Sequence, residues 1–303
     1  MREIVIISGK GGTGKTTLTA AFCALAQDAV FCDADVDAAD LHLLLQPQIQ
    51  EQHDFIGGAK AEIQPERCTA CGLCQDLCRF KAICASHNAE LAVDPLLCEG
   101  CGVCVDLCPE KAIDFPPQRC GEWYISNTRF GPLVHARLGI AEENSGKLVH
   151  LVRKEAMKLA EQKARQLIIT DGPPGIGCPV IAAIGGAALV LTVVEPTLSG
   201  KHDMERVLDL AAHFKVPARL IINKYDLNSR MAESIVQAAK GRGVACLGRI
   251  PFDRAFTLAM VQGQTLFDYP GAEVRKEELR RIWVEILAAL PEDKQRLSLN
   301  MYE

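Results

Sequence analysis

The sequence predicts an α/β protein interrupted by a small cysteine-rich insert. Three observations carry that prediction. Short apolar runs of strand type alternate with helical stretches along most of the chain. The first of these runs leads into a glycine loop that opens a helix, the context of a phosphate-binding loop. Two runs of four cysteines with one shared spacing break the alternation. The totals suit this class: 303 residues, 49% hydrophobic and 23% charged, allow one large or two modest domains with a sizeable core. A net charge of −5 with no long basic run argues against a nucleic-acid partner. The start, Met1-Arg2-Glu3, lacks the apolar core of an export signal, so a cytoplasmic protein is expected. Fourteen cysteines in such a chain point to metal rather than to disulfides.

Glu3-Ile4-Val5-Ile6-Ile7 reads as the first strand and 18–26 as the first helix. Between them lies GKGGTGKTT, running from Gly9 through Lys10, Gly11, Gly12, Thr13, Gly14, Lys15 and Thr16 to Thr17. Gly9, Gly14, Lys15 and Thr16 fit G-x-x-x-x-G-K-[ST]. Glycines let backbone N–H groups approach phosphate oxygens, and the following helix adds its positive end. Lys15 is expected on the β- and γ-phosphates and the Thr16 hydroxyl on Mg²⁺. A second strand, 29–32, runs into Asp33-Ala34-Asp35-Val36-Asp37, and acids at a strand's carboxyl end lie where an open α/β sheet binds ligands. One of these acids is also expected to cap a short helix at 41–45.

From Gln46 the pattern becomes irregular and leads into the cysteines. Cys68, Cys71, Cys74 and Cys78 are spaced C-x2-C-x2-C-x3-C, and Cys98, Cys101, Cys104 and Cys108 repeat that spacing, followed by Pro109. The units CTACGLCQDLCRFKAI and CEGCGVCVDLCPEKAI form an internal duplication. The spacing is that of a bacterial two-cluster ferredoxin, in which the fourth cysteine of each run serves the other cluster. One [4Fe–4S] cluster then takes Cys68, Cys71, Cys74 and Cys108, and the other takes Cys78, Cys98, Cys101 and Cys104. Zinc would call for separated C-x-x-C pairs instead of triplets. Arg79 departs from the pattern by standing where the second run has proline.

After Pro116-Pro117 comes a strand at 121–126 and a polar turn at 127–129. Asn144-Ser145-Gly146-Lys147 reads as a loop ahead of a helix at 148–163. The strand 166–171 ends in Asp171, the pattern of an acid that holds Mg²⁺, through water. From Gly172 to Val194 no residue is charged, but Pro173-Pro174, Pro179 and Gly185-Gly186 break the run. A loop, a buried helix at 180–184 and a buried strand at 188–194 are expected there, not a membrane span. Ser199-Gly200 is expected to cap a helix at 201–214. The strand 219–222 delivers Asn223-Lys224-Tyr225-Asp226, and N-K-x-D alone favours guanine. Cys178 and Cys246 read as buried thiols. The last helix, 272–290, carries Leu279, Ile282, Trp283, Ile286 and Leu287 as one apolar stripe for docking on the body.

Lys10 just after the first glycine makes the loop resemble the deviant Walker A of the MinD, ParA, Mrp and nitrogenase iron-protein superfamily. The resemblance covers nearly the whole chain. It implies a SIMIBI-type P-loop NTPase with a mostly parallel sheet and helices on both faces. The P-loop domain would be discontinuous, 1–61 and 118–303, with an α+β ferredoxin domain inserted at 62–117. It implies an ATP-dependent homodimer, or a heterodimer with a paralogous ATPase, with Lys10 acting in trans. Asp35 would position the attacking water and Asp33 support the Mg²⁺ shell. Gly172-Pro173-Pro174-Gly175 resembles switch II. Asn223 would read adenine, with Pro251 and Asp253 on a loop closing over the base. Cys178 stands at the offset where the nitrogenase iron protein holds a bridging cluster, although Cys84 and Cys120 lack the spacing of a second ligand. The implied activity is ATP hydrolysis coupled to electron transfer through two [4Fe–4S] clusters, with a redox or iron–sulfur protein as partner. Two alternatives stand beside it. One is a cluster carrier of Mrp type, against which the absent C-terminal C-x-x-C counts. The other is a positioning ATPase of ParA or MinD type with structural clusters.

Overall fold

Nine strands form one sheet in the computed structural model, which describes residues 1–85, 90–139 and 145–291. Its strands are β1 (Arg2–Ser8), β2 (Ala29–Asp33), β3 (Gln48–Ala59), β8 (Pro117–Asn127), β9 (Pro132–Leu138), β10 (Leu167–Pro174), β11 (Leu189–Val194), β12 (Ala218–Asn223) and β13 (Ala245–Ile250). The sheet order is β13-β12-β11-β1-β10-β2-β9-β8-β3. The pairs β1–β10, β1–β11, β10–β2, β2–β9, β11–β12 and β12–β13 are all parallel. A parallel sheet buried on both faces needs continuous apolar strands, and Ile4-Val5-Ile6-Ile7 and Leu189-Val190-Leu191 supply them, fully buried. Register sets Asp171 beside Asp33 and Ile6 beside Asp171, so both acids stand at one end of the sheet.

The chain divides into two compact units. The first comprises Met1–His53, Trp123–Arg137 and the chain from Ser145. Its helices are α1 (Lys15–Leu25), α2 (Leu41–Leu45), α5 (Ser145–Gln162), α6 (Cys178–Ile184), α7 (Leu198–His213), α8 (Ser229–Gly241), α9 (Arg254–Val261) and α10 (Glu273–Ala288). The α10 stripe buries Leu279, Ile282, Trp283 and Ile286, and the Trp283 ring stacks on Phe22 of α1 at 5.7 Å. Leu287, expected in that stripe, is instead 39% exposed. Glu3 and Arg153 form a buried ion pair, with Thr170 donating to Glu3 (2.6 Å) and Arg153 donating to the carbonyls of Ala182 (2.6 Å) and Gly185 (3.0 Å). Such a pair persists only because every remaining donor and acceptor finds a partner.

The second unit comprises Asp54–Glu122 and a stretch beginning at Leu138, bounds wider than 62–117. It holds α3 (Leu73–Leu77), α4 (Val103–Asp106) and two small antiparallel sheets. One pairs β4 (Glu62–Ile63) with β7 (Ile113–Asp114), the other β5 (Ile83–Ala85) with β6 (Leu91–Val93). β3 and β8 each run from one unit into the other.

Several local expectations are corrected. The irregular tract after Gln46 is the twelve-residue strand β3, whose polar residues suit the exposed last strand of the sheet. β9 was not expected from the sequence pattern. α5 begins at Ser145, so Ser145, Gly146 and Lys147 form its first turn instead of a loop. α6 begins at Cys178 and β10 runs on to Pro174. Thr197 caps α7, accepting from Gly200 N at 3.0 Å, in place of Ser199-Gly200. Cys178 is exposed and Cys246, on the end strand β13, is half-buried. Asn144 of the expected loop lies outside the described residues. Among the described residues no helix is long and apolar enough to cross a membrane.

Candidate functional site

β1 ends at Ser8, and the loop after it swings into α1 through Gly14, whose φ of 85° is left-handed. A Cβ at Gly14 would also fall 2.4 Å from Asn223 Nδ2, so glycine is required twice over. The turn aims Lys15 at the ends of β10 and β2. Lys15 Nζ lies 2.9 Å from Asp171 Oδ2 and 3.2 Å from Asp35 Oδ2. Thr16 donates to Asp171 Oδ2 and Thr19 to Asp171 Oδ1, each at 2.7 Å. Asp33 accepts from the backbone N–H of Asp35 and of Leu41, both at 3.2 Å. Asp33 therefore shapes the acidic turn and caps α2 from a distance, while Asp40, at the N-cap position, makes no side-chain cap.

Electrostatics follow from the packing. Burial by itself would lower the Lys15 pKa, but Asp171 and Asp35 outweigh it and hold the ammonium above its ordinary value. Burial drives the Asp33 carboxyl well above the carboxylate range, with Asp171 adding to the rise and Lys15 opposing it. Burial raises Asp35 to about 6 against the pull of Lys15. Three carboxyls against one ammonium leave the cluster short of positive charge, and the donor set is oxygen throughout, which fits a hard divalent cation.

Beside this cluster opens a cavity of about 360 Å³, within the range of small-ligand sites. It brings together Gly11, Gly12, Gly14, Lys15, Thr16, Thr17, Asp35, Asn223, Pro251 and Asp253. Gly9, Lys10, Thr13, Asp33 and Asp171 do not line it. The Thr13 hydroxyl is buried with no hydrogen-bond partner among the described residues. Asn223 donates its amide to Thr13 O at 2.8 Å and so braces the loop. Asp253 caps α9, accepting from Ala255 N at 2.9 Å, and meets Arg275 at 3.3 Å. Asp226 accepts from Phe252 N at 2.6 Å. Lys10 stands apart, 3.4 Å from the Thr197 and Ser199 hydroxyls and 3.6 Å from Glu195. Glu195 also pairs with Lys224.

Thr19 and the Glu195 partner of Lys10 had no place among the expected site residues. For Thr19 a signal was present: a hydroxyl one helical turn after Lys15 shares its face.

The eight motif cysteines of the second unit line two separate apolar cavities. Cys68, Cys71, Cys74 and Cys108 line one, with Ile63, Leu91 and Pro109. Cys78, Cys98, Cys101 and Cys104 line the other, with Phe80, Val93 and Phe115. Backbone N–H groups of Ala70, Ala82 and Ala112 point at the sulfurs of Cys68, Cys78 and Cys108, at 3.4, 3.3 and 3.3 Å. Burial raises the pKa of Cys74 and Cys104, with the neighbouring motif cysteines adding to the rise. No three His, Cys, Asp or Glu side chains among the described residues converge on a single ion. Thiols are soft donors, the residue type that iron–sulfur chemistry uses. Cys84, Cys120 and Cys178 line neither cavity.

Residues 4–266 match the CobQ/CobB/MinD/ParA nucleotide binding domain. The uncharacterized protein MJ0578 of Methanocaldococcus jannaschii is 34% identical over 230 residues, 75% of this chain and 79% of that protein. The MinC:MinD cell division protein complex of Aquifex aeolicus matches with a TM-score of 0.57 at 18% identity, over 97% of this chain and 99% of the matched one. The septum site-determining protein MinD of Pyrococcus horikoshii, complexed with Mg-ADP, matches with a TM-score of 0.57 at 18% identity, over 94% and 95%. At such identities the two structures speak for the fold.

Proposed function

Because this chain belongs to the CobQ/CobB/MinD/ParA nucleotide-binding family, we propose that it is an ATP-hydrolysing switch, active as a dimer, whose cysteine unit holds two [4Fe–4S] clusters. The observation that carries the reading is Lys15, Thr16, Asp35 and Asp171 meeting within hydrogen-bonding distance beside a cavity of about 360 Å³. Lys15 binds the terminal phosphates, and Gly11, Gly12 and Gly14 admit them to the backbone. Thr16 and Asp171 hold Mg²⁺, with Asp33 behind them. Asp35 orients the attacking water. Lys10 leaves the Glu195, Thr197 and Ser199 cluster to reach the nucleotide of the partner subunit. Asn223, Pro251 and Asp253 flank the base, and ATP over GTP rests on the family.

Cys68, Cys71, Cys74 and Cys108 hold one cluster, and Cys78, Cys98, Cys101 and Cys104 the other. Bound clusters supply one-electron redox capacity. The likeness to MinD favours a nucleotide-driven switch as the output. A redox output is the second reading, favoured by the exposure of Cys71 and Cys101, which leaves one edge of each cavity open to a partner.

Size measurements with and without Mg-ATP test the switch. The wild-type protein dimerises on ATP and Lys10→Ala stays monomeric; a Lys10→Ala dimer indistinguishable from wild type refutes the trans role. Reconstitution yields about eight irons per chain if both quartets load. Equal rates of electron delivery to a dye with and without Mg-ATP sink the redox output and leave the switch standing.

A further inference from the structure

We propose that Thr19 is a positioning residue: its hydroxyl holds the Asp171 carboxylate in the orientation that the divalent cation of the nucleotide site requires. The inference rests on the nucleotide-switch reading above. Thr19 lies one turn after Lys15 on α1 and is fully buried. Its Oγ1 is 2.7 Å from Asp171 Oδ1 and 3.0 Å from the carbonyl of Lys15. A hydroxyl has one proton, and an ionised carboxylate is the stronger and here the nearer acceptor. The other carboxylate oxygen, Oδ2, receives both Thr16 (2.7 Å) and Lys15 (2.9 Å).

The two oxygens are thus divided between different neighbours. Thr16 and Lys15 are the groups that turn toward the cation and the phosphates when nucleotide binds. Thr19 has no such second task, because it does not line the cavity and, among the described residues, its only other acceptor is its own helix. It stays on Oδ1 and keeps Oδ2 aimed at the loop. Without it, Oδ1 becomes a buried anionic oxygen lacking its donor, and the carboxylate is free to rotate about its terminal torsion.

The test uses the full chain as wild type, Thr19→Val, Thr19→Ala and Thr19→Ser. Valine keeps the shape and deletes the hydroxyl, alanine deletes it without a branched side chain, and serine retains it. ADP binding is read by fluorescence in EDTA and across a Mg²⁺ titration, alongside the Mg²⁺ dependence of hydrolysis. The half-saturating Mg²⁺ concentration rises about ten-fold in Thr19→Val and Thr19→Ala, the size of one lost hydrogen bond to a charged group. It stays within about two-fold of wild type in Thr19→Ser. ADP affinity in EDTA is unchanged in all three, which also reports that they fold. A wild-type Mg²⁺ dependence in both deletion variants overturns the assignment, and so does an equal rise in Thr19→Ser. Wild-type protein that binds ADP no better with Mg²⁺ than in EDTA overturns the nucleotide-switch reading itself.

Discussion

The two units of this protein stabilise themselves by opposite means. In the first, four consecutive β1 residues are fully buried, and Phe22, Phe31, Leu41 and Leu45 pack into one continuous core. In the second, α3 and α4 bury no residue at all, and Leu73, Leu77, Val103 and Leu107 stand 40–52% exposed. A unit of about 70 residues with so thin a core needs a staple. The difference teaches that the nucleotide site is preorganised by packing, while the cysteine unit has little apolar core of its own to order it.

Stripping the iron from reconstituted protein is the largest test of that contrast. The second unit then loses its protease resistance, with cuts confined to 54–122, while ADP binding is retained within about two-fold. An iron-free cysteine unit as resistant as the loaded one breaks the comparison. Lys15→Ala comes next. It leaves Asp35 and Asp171 without their cation in a buried site, and a loss of about 3–5 kcal/mol is expected in urea unfolding. Adding Asp35→Asn recovers part of that stability, and hydrolysis falls by at least about 100-fold in either variant.

A smaller effect concerns His135, buried on β9 between the rings of Tyr124 (4.9 Å) and His42 (5.9 Å) and 2.9 Å from Ser126 Oγ. Burial, with His42 adding, lowers its pKa from the usual 6.5 to about 4. The folded state therefore refuses a proton that the unfolded chain accepts. Stability is full above pH 6.5 and is lost as pH falls from 6.5 through 4, by about 3 kcal/mol. His135→Gln flattens that slope in pH-dependent unfolding; an unchanged slope assigns it elsewhere. The smallest expected effect is none: Cys178→Ser keeps the wild-type iron content, because Cys178 lines neither thiol cavity.

Much of both sites was legible because the decisive residues are close in sequence. Gly9 to Thr17 declares a phosphate loop, and eight cysteines in two equal runs declare a duplicated thiol motif, since spacing within one turn or loop is itself geometry. β3 was illegible because an exposed end strand carries no apolar alternation to read. Cys178 was misjudged because an uncharged run looks buried throughout, whereas α6 turns its first residue outward.

The sequence by itself therefore determined the loop, the family and much of the alternation of strands and helices, though not β3 or β9. Only the tertiary structure decided how distant residues meet. It set Thr19 on Asp171 across 152 positions, spent the Asn223 amide on Thr13 across 210, and gathered Lys10 with Thr197 across 187. The physical reason is the register of a parallel sheet. It brings the carboxyl ends of β1, β10 and β2 side by side, and no local spacing along the chain encodes which side chains then fall within hydrogen-bonding distance.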